Sequence, residues 1–271
     1  MKIASIGGGN MATALIAGLV KGEGKNTQVH VVDPKPEALA QLAAQYGATT
    51  SDSIDGAVAD ADVIVLAVKP QQMREVAAAL APHLANGPLV LSIAAGIRGA
   101  DLSRWLGGYG AIVRTMPNTP ALIGMGVTGL VALQGVSEAQ RAAADQVLRA
   151  VGQTVWLDDE ALIDPVTAVS GSGPAYVFYF LEAMVAAAQE MGLSAEQGRA
   201  LALATFSGAT QLAAQSDESL EVLRQRVTSK GGTTHAAISS MEAAGVKQAI
   251  VDAMKAAASR GRELGDELGK D

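Results

Sequence analysis

Between Lys2 and Val20 the chain passes from a β-type run through three consecutive glycines into a helix-type run, and no other stretch limits the fold so strongly. Lys2-Ile3-Ala4-Ser5-Ile6 offers Ile3 and Ile6 for burial and stops at Gly7-Gly8-Gly9. From Asn10 onward, Met11, Leu15 and Leu19 recur at helical spacing. Gly7, Gly9 and Ala12 thereby stand at the three positions of a dinucleotide-binding turn. The first glycine makes the sharp bend, the second lets backbone approach a pyrophosphate, and the small residue sits where helix meets strand. A helix that starts there aims unpaired N–H groups and the positive end of its dipole at phosphate. Alone this pattern is weak, but Thr27-Gln28-Val29-His30-Val31-Val32-Asp33 reads as a second strand. It ends in an acid about twenty residues past the glycines, where the fingerprint needs a ribose-binding carboxylate.

The alternation continues. Pro34 and Pro36 open a helix whose Leu39, Leu42 and Tyr46 share a face, with Gly47 placed as its C-cap. Asp62 to Val68 is nearly continuous in apolar residues, as expected of a parallel strand covered on both faces. Lys69 and Pro70 follow at its carboxyl end, where Lys69 is either a phosphate partner or a solvated loop lysine. Pro88 to Ile93 is another buried strand, closed by Ala94-Ala95-Gly96, small enough to let a flat group lie close to backbone. Ala111 to Met116 stops at Pro117-Asn118-Thr119-Pro120, a rigid turn. Val127 to Leu133 and Thr154 to Leu157 are further strands around a helix begun by the capping-box pattern Ser137-Glu138-Ala139-Gln140.

After about Asp159 the β-branched runs give way to successive helices, Pro174–Met191, Ser194–Ala214, Ser219–Val227, Thr233–Ala243 and Val246–Leu264. The expected fold is α/β: an N-terminal Rossmann-type doubly wound sheet over residues 1–160, then an all-helical domain over 161–271. Arg199 to Ala214 carries almost no charged face, and a helix apolar all round is buried all round. Roughly a hundred residues of helices cannot bury such a surface by themselves, so a second copy of the chain is expected against them.

A net charge of −7 argues against nucleic acid and acidic membrane surfaces as partners. The absence of cysteine removes disulfides, thiol nucleophiles and thiolate metal sites, and no metal is expected. Glu182 interrupts the apolar run from Pro174 to Met191 and Glu190 ends it, which makes it a buried helix rather than a membrane span. Met1 leads straight into a strand and leaves no room for a signal peptide, so a cytoplasmic location is expected.

A nicotinamide cofactor supplies hydride and leaves substrate binding to the protein. Two loops of small and hydroxyl residues precede helices in the second half: Ser170-Gly171-Ser172-Gly173-Pro174-Ala175-Tyr176 and Thr228-Ser229-Lys230-Gly231-Gly232-Thr233-Thr234-His235. Each is either an ordinary helix cap or an anion site built from N–H groups and hydroxyls. The helix from Pro174 carries neither Lys nor His, so a strong acid–base group of the kind alcohol dehydrogenation needs is missing there. A cyclic imine binds already protonated and needs hydride alone, which suits such a site better than a hydroxy acid.

With these residues the chain resembles pyrroline-5-carboxylate reductases along its whole length. The resemblance is carried by Gly7-Gly8-Gly9-Asn10-Met11-Ala12, Ala67-Val68-Lys69-Pro70, Arg114-Thr115-Met116-Pro117-Asn118-Thr119-Pro120, Ser170-Gly171-Ser172-Gly173-Pro174-Ala175-Tyr176 and Val227 to Thr234, continued by Ala237, Ile238 and Glu242. It implies reduction of L-1-pyrroline-5-carboxylate to L-proline with NADPH or NADH. It further implies that Ser229, Gly232 and Thr233 hold the substrate carboxylate and that Thr234, the nearest thing to a catalytic side chain, bonds the ring nitrogen. Gly7, Gly8, Gly9, Asn10, Met11, Asp33, Ala67, Val68, Lys69, Pro70, Ala94, Ala95 and Gly96 would hold the cofactor. An intertwined homodimer through the helical domain, sometimes stacked into larger rings, is implied as well. At the ribose position NADPH-preferring relatives tend to carry Ser, Asn or Arg, whereas this chain has Asp33-Pro34-Lys35, which leans towards NADH. The competing readings are a related imine or hydroxyacid reductase of the same plan and a cofactor-binding regulatory protein without turnover, for which a damaged Ser229–Thr234 loop would be expected.

Overall fold

The structure is a computed structural model and describes residues 1–22 and 27–270. In the first part strands and helices alternate: β1 (Lys2–Ile6), α1 (Asn10–Gly22), β2 (Gln28–Val32), α2 (Pro36–Tyr46), β3 (Thr49–Ser51), α3 (Gly56–Ala59), β4 (Val63–Leu66), α4 (Met73–Leu80), β5 (Leu89–Ser92), α5 (Gly99–Trp105) and β6 (Ile112–Met116). They are followed by β7 (Gly126–Ala132), α6 (Glu138–Arg149) and β8 (Gly152–Trp156). The eight strands form one sheet in the order β3-β2-β1-β4-β5-β6-β7-β8. The first six are parallel; β7 runs antiparallel to β6, and β8 parallel to β7.

Strand alternation divides the core between two faces. Ile6, Ile64, Leu66 and Val90 pack with Met73, Leu80 and Leu102 of α4 and α5 on one side. Ile3, Val63, Val65, Leu89 and Leu91 pack with Leu15, Leu19, Val147 and Leu148 of α1 and α6 on the other. All four residues of β4 are buried, the consequence of its continuous apolar run. The edge strand β3 escaped the sequence reading because three residues, none of them apolar, show no periodicity.

The later elements are α7 (Ile163–Val166), α8 (Gly173–Glu190), α9 (Ala195–Ala214), α10 (Leu220–Arg226), α11 (Thr233–Ala243) and α12 (Val246–Leu268). By its contacts the chain forms two compact units: Met1–Ser172 together with the segment from Ala256, and Gly173–Lys255. The sheet unit therefore takes in more than residues 1–160. Ile163 and Ala168 are buried, Gly129 lies against Val166, and Gly171 against Met116, so the segment after β8 packs on the sheet. In the helical unit α8 packs on α9, with Phe180 and Phe206 ring centroids 5.4 Å apart. Arg224 and Glu242, 3.3 Å apart, tie α10 to α11. No helix of the described residues is long and apolar enough to cross a membrane.

Candidate functional site

Strands β1, β2, β4 and β5 end along one edge of the sheet, and the strand order reverses between β1 and β4, the place where open α/β sheets bind ligands. Gly7 closes that edge. Its φ is +105°, its N–H donates to Val32 O at 2.7 Å, and a Cβ there would lie 2.6 Å from Ala67 O. Only glycine fits where the ends of three strands meet. Gly8 N–H donates to Asp33 Oδ2 at 2.8 Å, and Lys35 N–H to Asp33 Oδ1 at 2.9 Å. The acid at the end of β2 thus fixes both the glycine turn and its own loop.

Gly9 and Asn10 are exposed, Met11 is half-buried, and a Cβ built at Gly9 meets nothing within 4 Å. The N-terminus of α1 consequently presents open backbone, while Ala12, 1 % exposed, seats the helix on the sheet. Ala67 N–H donates to Ile6 O at 2.8 Å; Ala67 and Val68 are half-buried, Lys69 is exposed, and Pro70 opens a 3₁₀ turn. After β5, Ala94 is buried, Ala95 exposed and Gly96 half-buried with φ +75°. All thirteen residues read as cofactor-binding lie on the loops and first helical turns at this edge. The open backbone at Gly9 and the clustered turns fit a dinucleotide.

Ser229 to Thr234 belongs to the helical unit. Gly231 has φ +76°, and Gly232 N–H donates to Ser229 O at 3.0 Å, folding the loop under the start of α11. Gly232 precedes the helix without any side-chain cap. The first N–H groups of α11 therefore lack side-chain partners, as a helix start requires of an anion site. Among the described residues the hydroxyls of Ser229, Thr233 and Thr234 make no hydrogen bond in the chain; Thr234 and Gly232 are half-buried, Ser229 and Thr233 exposed.

The other hydroxyl loop behaves differently. Thr167–Gly171 is a π-helical turn in which Ser170 Oγ donates to Val166 O at 3.0 Å and Ser172 N–H to Thr167 O at 2.8 Å. Ser170 is thus a backbone-bonded turn residue. The loop rests on the turn after β6 through Asn118, 9 % exposed, which donates from Nδ2 to Ser170 O at 3.2 Å and accepts Val127 N–H on Oδ1 at 2.9 Å. The proline-bracketed sequence announced a rigid turn there, but the partners of Asn118 stand 9 and 52 residues away and left no local signal. The same holds for Arg114, 5 % exposed, whose Nη1 meets Glu160 Oε1 at 2.8 Å. Among the described residues no three His, Cys, Asp or Glu side chains cluster as a metal site.

Comparisons with known proteins agree across the chain. Residues 160–264 match the family described as pyrroline-5-carboxylate reductase dimerisation, and residues 2–96 match NADP oxidoreductase coenzyme F420-dependent. A pyrroline-5-carboxylate reductase of Pseudomonas aeruginosa is 49 % identical over 99 % of this chain and 98 % of its own. The structure of the Coxiella burnetii enzyme of that name superposes with a TM-score of 0.91 at 38 % identity, covering 97 % of both chains. That of Plasmodium falciparum pyrroline carboxylate reductase with NADP bound gives 0.86 at 27 % identity over 98 % of each. With the glycine turn and its acid, the open start of α11, and this full-length likeness, the chain belongs to the pyrroline-5-carboxylate reductase family.

Proposed function

We propose that the chain reduces L-1-pyrroline-5-carboxylate to L-proline with a hydride from NAD(P)H, the last step of proline synthesis. The dinucleotide lies along the carboxyl edge of the sheet, its pyrophosphate over Gly7–Met11 and its adenosine ribose at Asp33. Ala67–Pro70 and Ala94–Gly96 line the rest of its path. When bound, the nicotinamide supplies the hydride that adds to the imine carbon. Ser229, Gly232 and Thr233 hold the substrate carboxylate with hydroxyl and N–H groups, and the Thr234 hydroxyl bonds the ring nitrogen, which arrives protonated. The substrate loop is intact, which favours turnover over a purely regulatory role. The observation that carries this reading is the uncapped start of α11, where three hydroxyls stand unengaged beside the first N–H groups of the helix.

Two copies associate through the helical domain to form the working enzyme, which acts in the cytoplasm without nucleic acid, membrane or metal. Cofactor choice follows from charge: a carboxylate at position 33 accepts ribose hydroxyls and repels a 2′-phosphate, an effect Lys35 offsets in part. NADH is therefore used better than is usual in the family. The test is oxidation of NADH and NADPH with pyrroline-5-carboxylate, side by side, in the native protein and in Asp33→Ser. The variant should raise the ratio of kcat/KM for NADPH to that for NADH; an unchanged ratio removes Asp33 from the ribose. No oxidation of either cofactor would overturn the reading as a whole.

A further inference from the structure

The loop after β5 contains almost nothing with which to fix itself. Ala94, Ala95 and Gly96 carry no polar side-chain atom, and the Ala94 N–H has only a long 3.5 Å bond to Ser92 Oγ. Its shape is set from outside, by the last turns of α12. Gly96 lies under that helix, so that a Cβ there would come within 3.0 Å of Leu268 Cδ1 and 3.5 Å of Leu264 Cβ. Leu268 also packs against the core cluster containing Ala94 and Ile97.

Gly261, Gly265 and Gly269 repeat every fourth residue along one face of α12 and its end, and each is covered by a side chain of the sheet unit. A Cβ at Gly261 would lie 3.2 Å from Asp164 Oδ1, one at Gly265 would lie 3.1 Å from Arg98 Nε, and one at Gly269 would strike Asp101 Oδ2. This bare stripe lets the Arg98 guanidinium lie flat on the helix. Arg98 Nη2 donates to Asp266 Oδ1 at 2.7 Å and to Arg262 O at 3.3 Å. At the next residue Gly99 N–H donates to Glu160 Oε1 at 2.6 Å, the oxygen that also receives Arg114. The segment 94–99 is thus gripped twice at its carboxyl end, by α12 through Arg98 and by the buried Arg114 through Glu160.

We propose that Arg98 is a positioning residue for the cofactor: by anchoring to Asp266 and the Arg262 carbonyl it holds Ala94–Gly96 at the height the dinucleotide needs. This rests on the reading of Ala94–Gly96 as a cofactor loop. The pair is partly exposed, so its loss softens the loop without unfolding it.

The experiment is titration of the full-length protein with NADH and NADPH, read by nicotinamide fluorescence, alongside steady-state kinetics and thermal melting. The proteins are wild type, Arg98→Met, Asp266→Ala at the more exposed end of the pair, and Ala95→Phe as a direct probe of the loop. Arg98→Met and Asp266→Ala should each raise the cofactor Kd by about two- to tenfold, the scale of one partly exposed charged contact, with the loss falling on cofactor KM more than on kcat. Ala95→Phe should raise it at least as much. If the Arg98 and Asp266 variants lower only the melting temperature while Ala95→Phe still weakens the cofactor, the anchoring role is wrong and the loop reading stands. If Ala95→Phe leaves the cofactor Kd unchanged, the loop reading falls and the anchor with it.

Discussion

Both oxygens of the Asp33 carboxylate accept a backbone N–H, from Gly8 and from Lys35, and of its roughly four acceptor positions about two remain for a ribose. A single side chain thereby holds the glycine turn and, in the proposed reading, also meets the ribose that distinguishes the two cofactors. The place of Asp33 beside the glycine turn was legible in the sequence because its spacing from the glycines is local. The structural roles of Asn118 and Arg114, both inside the Arg114–Pro120 motif, were not legible, since they depend on burial and on partners on other elements. At Thr234 the expectation is kinetic. Thr234→Val keeps the shape and removes the hydroxyl, and should lower kcat/KM for the imine by about tenfold to a hundredfold, the worth of one hydrogen bond of roughly 1.4 to 3 kcal/mol at the transition state. Cofactor affinity should hardly change; wild-type turnover, or a loss of cofactor binding instead, would remove Thr234 from the ring nitrogen. Asp145 shows the same logic applied to stability. Burial raises its pKa, but hydrogen bonds from Thr154, Arg149 and Trp156, with the Arg149 charge, lower it by more, so the net shift is downward. A carboxyl whose folded pKa is depressed stabilises the fold above its unfolded pKa and loses that contribution as pH falls through the folded value. The melting-temperature gap between wild type and Asp145→Ala should therefore be full near neutrality and shrink below about pH 4. A gap that persists unchanged at pH 2 would contradict this.

Elements whose signals are periodic and capped were read closely from sequence. The helix expected to open at Ser137 begins with a complete capping box, Ser137 Oγ accepting Gln140 N–H and Gln140 Oε1 accepting Ser137 N–H. A second box, Ser194 with Gln197, opens α9. Ser137→Ala should cost about 1 kcal/mol and lower the melting temperature by about 2 to 4 °C while leaving both KM values alone, because Ser137 is none of the residues read as binding cofactor or substrate. A shift in cofactor KM would show that α6 does more than support the sheet. Other elements gave weaker local signals. The helix expected over Val246–Leu264 runs on to Leu268, and its last turns belong to the sheet unit because Arg98, Asp101 and Asp164 cover its glycines. Those glycines lower helix propensity when read alone and show their use only when the opposing side chains are known. The π turn at Thr167–Gly171 likewise depends on its seat against Met116 and Asn118.

At the scale of the whole molecule the two units differ in how they treat apolar surface. The sheet unit covers its central strands, with β4 and β5 entirely buried. In the helical unit α9 has only Gly198 and Ala202 buried, while Leu201 is 58 % and Leu212 62 % exposed, and Phe178 and Tyr179 of α8 are 60 % and 77 % exposed. Between α8 and α9 lies a groove of about 550 Å³ lined by Phe178, Leu181, Val185 and Leu203 among others. Contiguous apolar surface of this kind on one chain marks an association face, and its position within residues 160–264 coincides with the dimerisation family match. A two-fold association would set the same patch against itself, so that a residue within it would be covered in both copies. A single charge placed there is therefore introduced twice and must be desolvated twice. Leu212→Lys should shift the dimer to monomer or aggregate at micromolar concentration in sedimentation, with activity falling in step with the dimer fraction. The control is Leu122→Lys, a 55 % exposed leucine on the sheet unit, which should leave sedimentation unchanged. A Leu212→Lys protein that sediments as wild-type dimer would take Leu212 out of the interface. A well-behaved wild-type monomer of full activity at low concentration would overturn the dimer itself.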